Sequence, residues 1–119
     1  MEILIITGNR TLGENTVKRL LLEKPYWNVT FCNSGAEARK VILQNNFDAA
    51  IVEVFSSNGT GFDMISELSV TYPSLPVIAV SSSFSNGVIE KAEMYCDRSY
   101  VCNISDIESC INTVERACV

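Results

Sequence analysis

Five short runs of β-branched and aliphatic residues, each followed by a stretch of helical periodicity, govern what this chain can fold into. Residues 2–7 (Glu-Ile-Leu-Ile-Ile-Thr) form a continuous apolar run, as a strand buried on both faces requires. Leu12, Val17, Leu20 and Leu21 then recur near helical spacing over 11–24, and Pro25 ends that helix. Residues 27–32 alternate as a second strand, 48–54 (Asp-Ala-Ala-Ile-Val-Glu-Val) read as a third, Val77–Val80 as a fourth and 99–103 as a fifth. Between them lie helices through Ala38, Val41 and Ile42, through Met64, Ile65 and Leu68, and through Val88, Ala92 and Tyr95, with a last one through Ile107, Ile111 and Val114. Two segments carry the Ser-x-x-Glu signature of a capping box, Ser34 to Glu37 and Ser105 to Glu108.

Strict alternation of strand and helix implies a parallel sheet, because right-handed crossovers place helices on both of its faces. The expected fold is therefore α/β: a three-layer, doubly wound (βα)5 arrangement with a five-stranded parallel sheet. At 119 residues the chain makes a single domain, 1–119, with five β-α units and no linker or repeat. In such sheets ligands bind at the carboxyl ends of the strands. Those ends hold Thr7-Gly8-Asn9, Glu53, Ser81-Ser82 and Cys102-Asn103.

Composition narrows the chemistry open to those ends. Hydrophobic residues make up 47% and charged residues 19%, which is a globular balance. Nine Lys and Arg against 14 Asp and Glu leave a net charge of -5. An acidic surface is repelled by nucleic acid and by anionic membranes. Histidine is absent, which removes the commonest metal ligand, the commonest general base and every Ser-His or Cys-His pair. Neither the first apolar run nor Val77–Val80 is long enough for a signal sequence or a membrane span, so a cytoplasmic location is expected. The five cysteines, Cys32, Cys96, Cys102, Cys110 and Cys118, include no Cys-x-x-Cys spacing and read as small buried hydrophobes. No metal site and no cofactor is expected.

Over its whole length the chain resembles the receiver domain of bacterial response regulators, the CheY-like form of the flavodoxin-like fold. Phe47 to Glu53 resembles the family's third strand, with Glu53 at the phosphoacceptor position. Gly61, eight residues on, matches the glycine that opens the third helix. Leu75 to Ser81 resembles the fourth strand, with Ser81 at its hydroxyl position. Tyr100 falls at the aromatic switch position and Asn103 at the position of the family's lysine. In the family an acidic pair binds Mg²⁺, an Asp accepts a phosphoryl group from a histidine kinase, and the Lys and the hydroxyl hold the phosphate.

The departures from that pattern fall on the chemistry. Thr7 and Gly8 replace the acidic pair, Glu53 replaces the Asp, Asn103 replaces the Lys and Ile104 replaces the Pro after it. A Met-Pro pair often follows the Asp, and here Ser56 and Ser57 stand in its place. Mg²⁺ sites use one or two carboxylates beside phosphate. Without metal or Lys, nothing neutralises charge on a transferring phosphoryl group. The resemblance therefore implies a degenerate receiver, or pseudo-receiver: a non-catalytic signalling and protein-interaction module, not phosphorylated and not Mg²⁺-dependent. Its pocket residues are Thr7, Gly8, Glu53, Ser81 and Asn103, with Ser81 and Tyr100 switch-like.

Each of these residues has a plainer reading. Glu53 is either a fixed charge standing in for phospho-Asp, bonded by Ser81, or a solvated carboxylate at a strand end. Ser81 is either a switch hydroxyl or a turn serine, and Tyr100 either a switch or a half-buried strand aromatic. By resemblance the contact surface for protein partners, or for self-association, covers Val88 to Tyr95, Ser99 to Cys102 and Ile107 to Cys118, and acts on transcription or on another partner. No direct nucleic-acid contact by this domain and no membrane contact is expected. The chain stops at Val119, where a receiver's last helix ends; a stand-alone domain and a receiver cut from an output domain both fit. Two alternatives stand beside this reading: a phosphorylatable receiver using an atypical site, and a small nucleotide-binding domain using Thr7 to Gly13. The second has only Gly8 and Gly13 of a three-glycine fingerprint.

Overall fold

The computed structural model describes residues 1–54, 61–81 and 99–118. The helix expected over Val88 to Tyr95, together with Ser56, Ser57, Ser82 and Cys96, lies outside the described residues. In chain order the elements are β1 (Glu2–Ile6), α1 (Arg10–Glu23), β2 (Asn28–Cys32), α2 (Gly35–Gln44), β3 (Ala49–Glu53), α3 (Gly61–Thr71), β4 (Val77–Ser81), β5 (Ser99–Asn103) and α4 (Ile107–Ala117). The five strands form one parallel sheet in the order β2-β1-β3-β4-β5.

Period-two alternation along the strands sends successive side chains to opposite faces and so divides the core in two. Leu4, Ile6, Val52, Val77 and Ala79 meet Ala38, Ile42, Ile65 and Leu68 of α2 and α3. Ile3, Ile5, Ile51, Ile78 and Val80 meet Leu20 of α1 and Ile111 and Val114 of α4. Both faces are covered, which is why the central strands carry no polar alternation: all five residues of β3 and of β4 are buried, including Glu53 and Ser81.

Helix ends follow local chemistry. Asn9 caps α1 by accepting from the Leu12 amide at 3.0 Å. The helix runs one residue earlier than the periodicity predicts, and Lys24 closes it ahead of Pro25, its amide donating to the Leu20 carbonyl. Ser34 caps α2 as expected, accepting from the Glu37 amide at 3.2 Å. The Glu37 carboxylate closes the box on the Asn33 amide, one residue upstream of the cap. The second predicted box is corrected. Asp106, not Ser105, caps α4 by accepting from the Ser109 amide at 3.1 Å. Ser105 is held elsewhere: its amide and hydroxyl both donate to Asn103 Oδ1, at 2.9 and 2.6 Å. The strand-end Asn takes both Ser105 donors, and the cap passes to the next competent side chain.

No helix among the described residues is long and apolar enough to cross a membrane. Of the cysteines described, Cys32, Cys102 and Cys110 are buried in the core, as small hydrophobes are, and Cys118 is half-buried.

Candidate functional site

A strand order of 2-1-3-4-5 reverses direction at β1, and the crevice outside the carboxyl ends of β1 and β3 is the topological switch point. Thr7 follows β1 and Glu53 ends β3, so the register brings together two residues 46 apart in sequence. The Thr7 hydroxyl donates to Glu53 Oε1 at 3.0 Å. The same hydroxyl accepts from the Asn9 amide at 3.1 Å, and the Thr7 amide donates to the Cys32 carbonyl. Thr7 is therefore tied to β2, to the cap of α1 and to β3 at once.

Glu53 is only 6% exposed, which corrects the plain expectation of a solvated strand-end carboxylate. Burial raises its carboxyl above the ordinary carboxylate range, and the Thr7 hydroxyl pulls it part of the way back. Beside the pair lies a cavity of about 20 Å³ lined by Thr7, Gly8, Asn33, Glu53, Gly61 and Met64. It has room for about one water molecule. Asn33 Oδ1 is buried and has no hydrogen-bond partner among the described residues. Its place at the end of β2 was the available signal, since every strand end in such a sheet borders the crevice.

Gly61 opens α3 directly over the end of β3. A Cβ there would overlap the Glu53 carbonyl oxygen and the Val54 backbone, so the helix approaches the strand only because the side chain is absent. The remaining predicted pocket residues, Ser81 and Asn103, stand at the ends of the next two strands, β4 and β5, as register partners. Ser81 is buried, whereas Asn103 spends its side-chain oxygen on Ser105 and borders a groove between α1 and α4. Tyr100 stands opposite Ile78 in β5, and its side chain lies outside what the structure describes. Gly13, the second glycine of the nucleotide reading, has a packing role: a Cβ there would overlap the Phe31 ring.

The hydrogen bond between Thr7 and Glu53 has a measurable signature. A raised folded pKa means that this carboxyl favours folding below its unfolded pKa, about 4.3. That contribution is lost as the pH rises through the raised folded value. The Thr7 hydroxyl opposes the loss by stabilising the ionised form. Thr7→Val is expected to cost about 1–3 kcal/mol at pH 7, because it leaves a buried carboxyl oxygen without its donor and the Asn9 amide without its acceptor. The cost should shrink as the pH falls toward the unfolded value, because the protonated carboxyl needs the donor less. Urea unfolding of both proteins at pH 7 and pH 5 measures it, and an equal deficit at the two pH values would refute the assignment.

No family model matches the sequence, and neither does any curated protein. Solved structures do match its fold. The signal receiver domain of an HD domain-containing protein from Pseudomonas fluorescens superposes with a TM-score of 0.82 at 17% identity, covering 98% of this chain and 85% of that one. A LuxR-family DNA-binding response regulator from Staphylococcus aureus gives 0.81 at 21% identity over 99% and 98%. The response regulator TrrA from Thermotoga maritima, in complex with Mg²⁺ and BeF, gives 0.78 at 16% identity over 98% and 97%. The fold is thus that of the CheY-like receivers, as the sequence pattern implied.

Whether the residues here suit the Mg²⁺ that this fold implies is a question of donors. At the switch point Thr7 and Gly8 contribute no carboxylate, and the carboxylate of Glu53 is buried and engaged by Thr7. Among the described residues no group of three or more His, Cys, Asp or Glu side chains is placed to hold a metal ion. A hard divalent ion needs more anionic oxygen than one buried, hydrogen-bonded carboxyl offers. The donor set does not fit.

Proposed function

We propose that this chain is a non-catalytic protein-interaction module on the receiver fold, a pseudo-receiver that signals without phosphorylation of Glu53 and without Mg²⁺. The observation that carries this reading is the buried Thr7–Glu53 hydrogen bond. A phosphoacceptor must present its carboxylate to solvent, metal and phosphoryl donor together. Here the carboxyl faces a nearly filled crevice, and one of its oxygens already accepts from the Thr7 hydroxyl. Burial also argues against Glu53 as a permanent phosphate mimic, because desolvation disfavours the charge that a mimic must carry. Its role is structural: it joins the ends of β1 and β3.

With the crevice closed, recognition falls to the outer surface of the domain. By analogy with receivers, the surface in use includes β5 and α4, and the partner is another protein or a second copy of this chain in the cytoplasm. The Staphylococcus aureus relative in fold is a DNA-binding response regulator. A regulatory partner in transcription is the corresponding expectation here, with no DNA contact by this domain itself.

The test is a ¹⁵N NMR titration with Mg²⁺ and beryllofluoride, beside intact mass after incubation with acetyl phosphate. The amides of Thr7, Gly8, Glu53 and Ser81 should keep their shifts, and no phosphate should be added. Specific shifts at those amides, or a stable phosphoryl adduct, would overturn the reading in favour of an atypical phosphorylatable receiver.

A further inference from the structure

Outside the crevice, two sulfur atoms meet where β5 faces the first turn of α4. Cys102 Sγ and Cys110 Sγ lie 3.2 Å apart, and both are free thiols, 4% and 1% exposed. The Cys102 thiol donates to Cys110, and the Cys110 thiol donates to the Asn103 carbonyl at 3.4 Å. A disulfide is about 2.05 Å long, so each sulfur has only about 0.6 Å to travel. Movement on that scale is available to side-chain rotation and leaves the backbone ladder between β4 and β5 in place.

We propose that Cys102 and Cys110 are a modification site: a dithiol that hydrogen peroxide converts reversibly to an intramolecular disulfide, clamping α4 to β5. In the first step the Cys110 sulfur attacks one peroxide oxygen and the O–O bond breaks. Cys110 becomes a sulfenic acid, and the other oxygen leaves as water with the thiol proton. In the second step the Cys102 sulfur attacks the Cys110 sulfur. The S–S bond forms, the S–O bond breaks, and the hydroxyl leaves with the Cys102 proton as a second water. Sulfur supplies two electrons in all, and the peroxide takes them up. A dithiol reductant reverses the reaction by thiol–disulfide exchange.

The order of attack follows from the environment. The hydrogen bond from Cys102, with help from nearby Arg19, favours thiolate at Cys110. Donating that bond, together with burial, holds Cys102 as a thiol well above its ordinary range. Burial selects a small oxidant that enters when the first turn of α4 opens locally. The other described cysteines lack the geometry. Cys32 is raised to about 11 by burial and by Glu37, and Cys118 donates to the Asp48 carbonyl across the molecule. Closure replaces the bond from Cys110 to the Asn103 carbonyl and fixes the turn through Asn103, Ser105 and Asp106. The proposal stands on this contact alone and is independent of how the crevice works.

The sequence makes the test direct. Trypsin releases Ser99–Arg116 as one peptide that carries Cys102 and Cys110 and no other cysteine. The full chain, reduced and then treated with hydrogen peroxide under native conditions, is alkylated and digested. That peptide is expected to lose the mass of two hydrogens, to resist alkylation, and to regain two alkyl groups after dithiothreitol. Cys102→Ala and Cys110→Ala should each abolish the closed peptide. The wild-type map decides the matter even where a variant fails to fold. A peptide still carrying two alkyl groups when Cys118 is already oxidised would overturn the proposal. So would a disulfide that forms only after unfolding in urea.

Discussion

Ile51→Ala is expected to lower the unfolding free energy by about 2–5 kcal/mol, the range for emptying a fully buried Ile, Leu or Met site. Ile51 is 1% exposed at the centre of β3, with Ile5 and Ile78 as its register partners on the neighbouring strands. All three belong to the core layer that Leu20 and Val114 close from the helix side. The site cannot collapse easily, because the ladders on both sides hold β3 in place. A domain of this kind is stable by only about 5–15 kcal/mol, so one such cavity removes a large share of the total. The midpoint of thermal unfolding should fall by roughly 8–20 °C. Leu22→Ala is the control: Leu22 is 81% exposed, and its loss should change stability by less than about 0.5 kcal/mol. Urea and thermal unfolding of the three proteins measure the contrast. Equal deficits in the two variants would mean that β3 is not the centre of the core.

Gly61→Ala is expected to cost about 3 kcal/mol, at the upper end of what overpacking costs. The added carbon would press on the backbone of Glu53 and Val54 rather than on a side chain that can rotate away. The gain in helix propensity from Gly to Ala, about 1 kcal/mol in a helix interior, is smaller at a helix start and does not offset this. The variant relieves the overlap only by moving α3 away from the end of β3, which opens the crevice beside Glu53. Gly35→Ala is the matched comparison at the same cavity. There the nearest group is the Met64 sulfur at 3.2 Å, the end of a flexible side chain, and the change should be tolerated within about 0.5 kcal/mol. Denaturant unfolding reads the difference. The Glu53 amide shift should move in Gly61→Ala and stay in Gly35→Ala, and two equally stable variants would sink the argument.

Residues near one another in sequence made much of this legible. The continuous apolar runs of β1, β3 and β4 identified strands covered on both faces, and alternation with helices identified a parallel sheet. Ser34 announced the start of α2, because a cap and its amide lie three residues apart. Ser105 misled for the same local reason. Its pattern fits a cap, but Asn103, two residues back, competes for its donors, and periodicity carries no record of that competition.

Contacts between distant residues were not legible. Thr7 reads as a missing acid until the register of β1 against β3 aims its hydroxyl at Glu53. Asn103 was grouped with the pocket by strand position, and in the fold its side chain serves the loop before α4. Cys102 and Cys110 read as two unrelated small hydrophobes, since no motif spacing joins a strand residue to a helix residue across a turn.

The sequence alone therefore determined the layers and the absence of histidine chemistry, and it located the strand ends where a site would lie. Hydrophobic period and composition are properties of single segments and survive without coordinates. Only the tertiary structure decided that the lone strand-end carboxyl is buried against a threonine, that a glycine lets a helix close over it, and that two thiols touch. Each depends on strand order and register, which bring together residues that no local pattern relates.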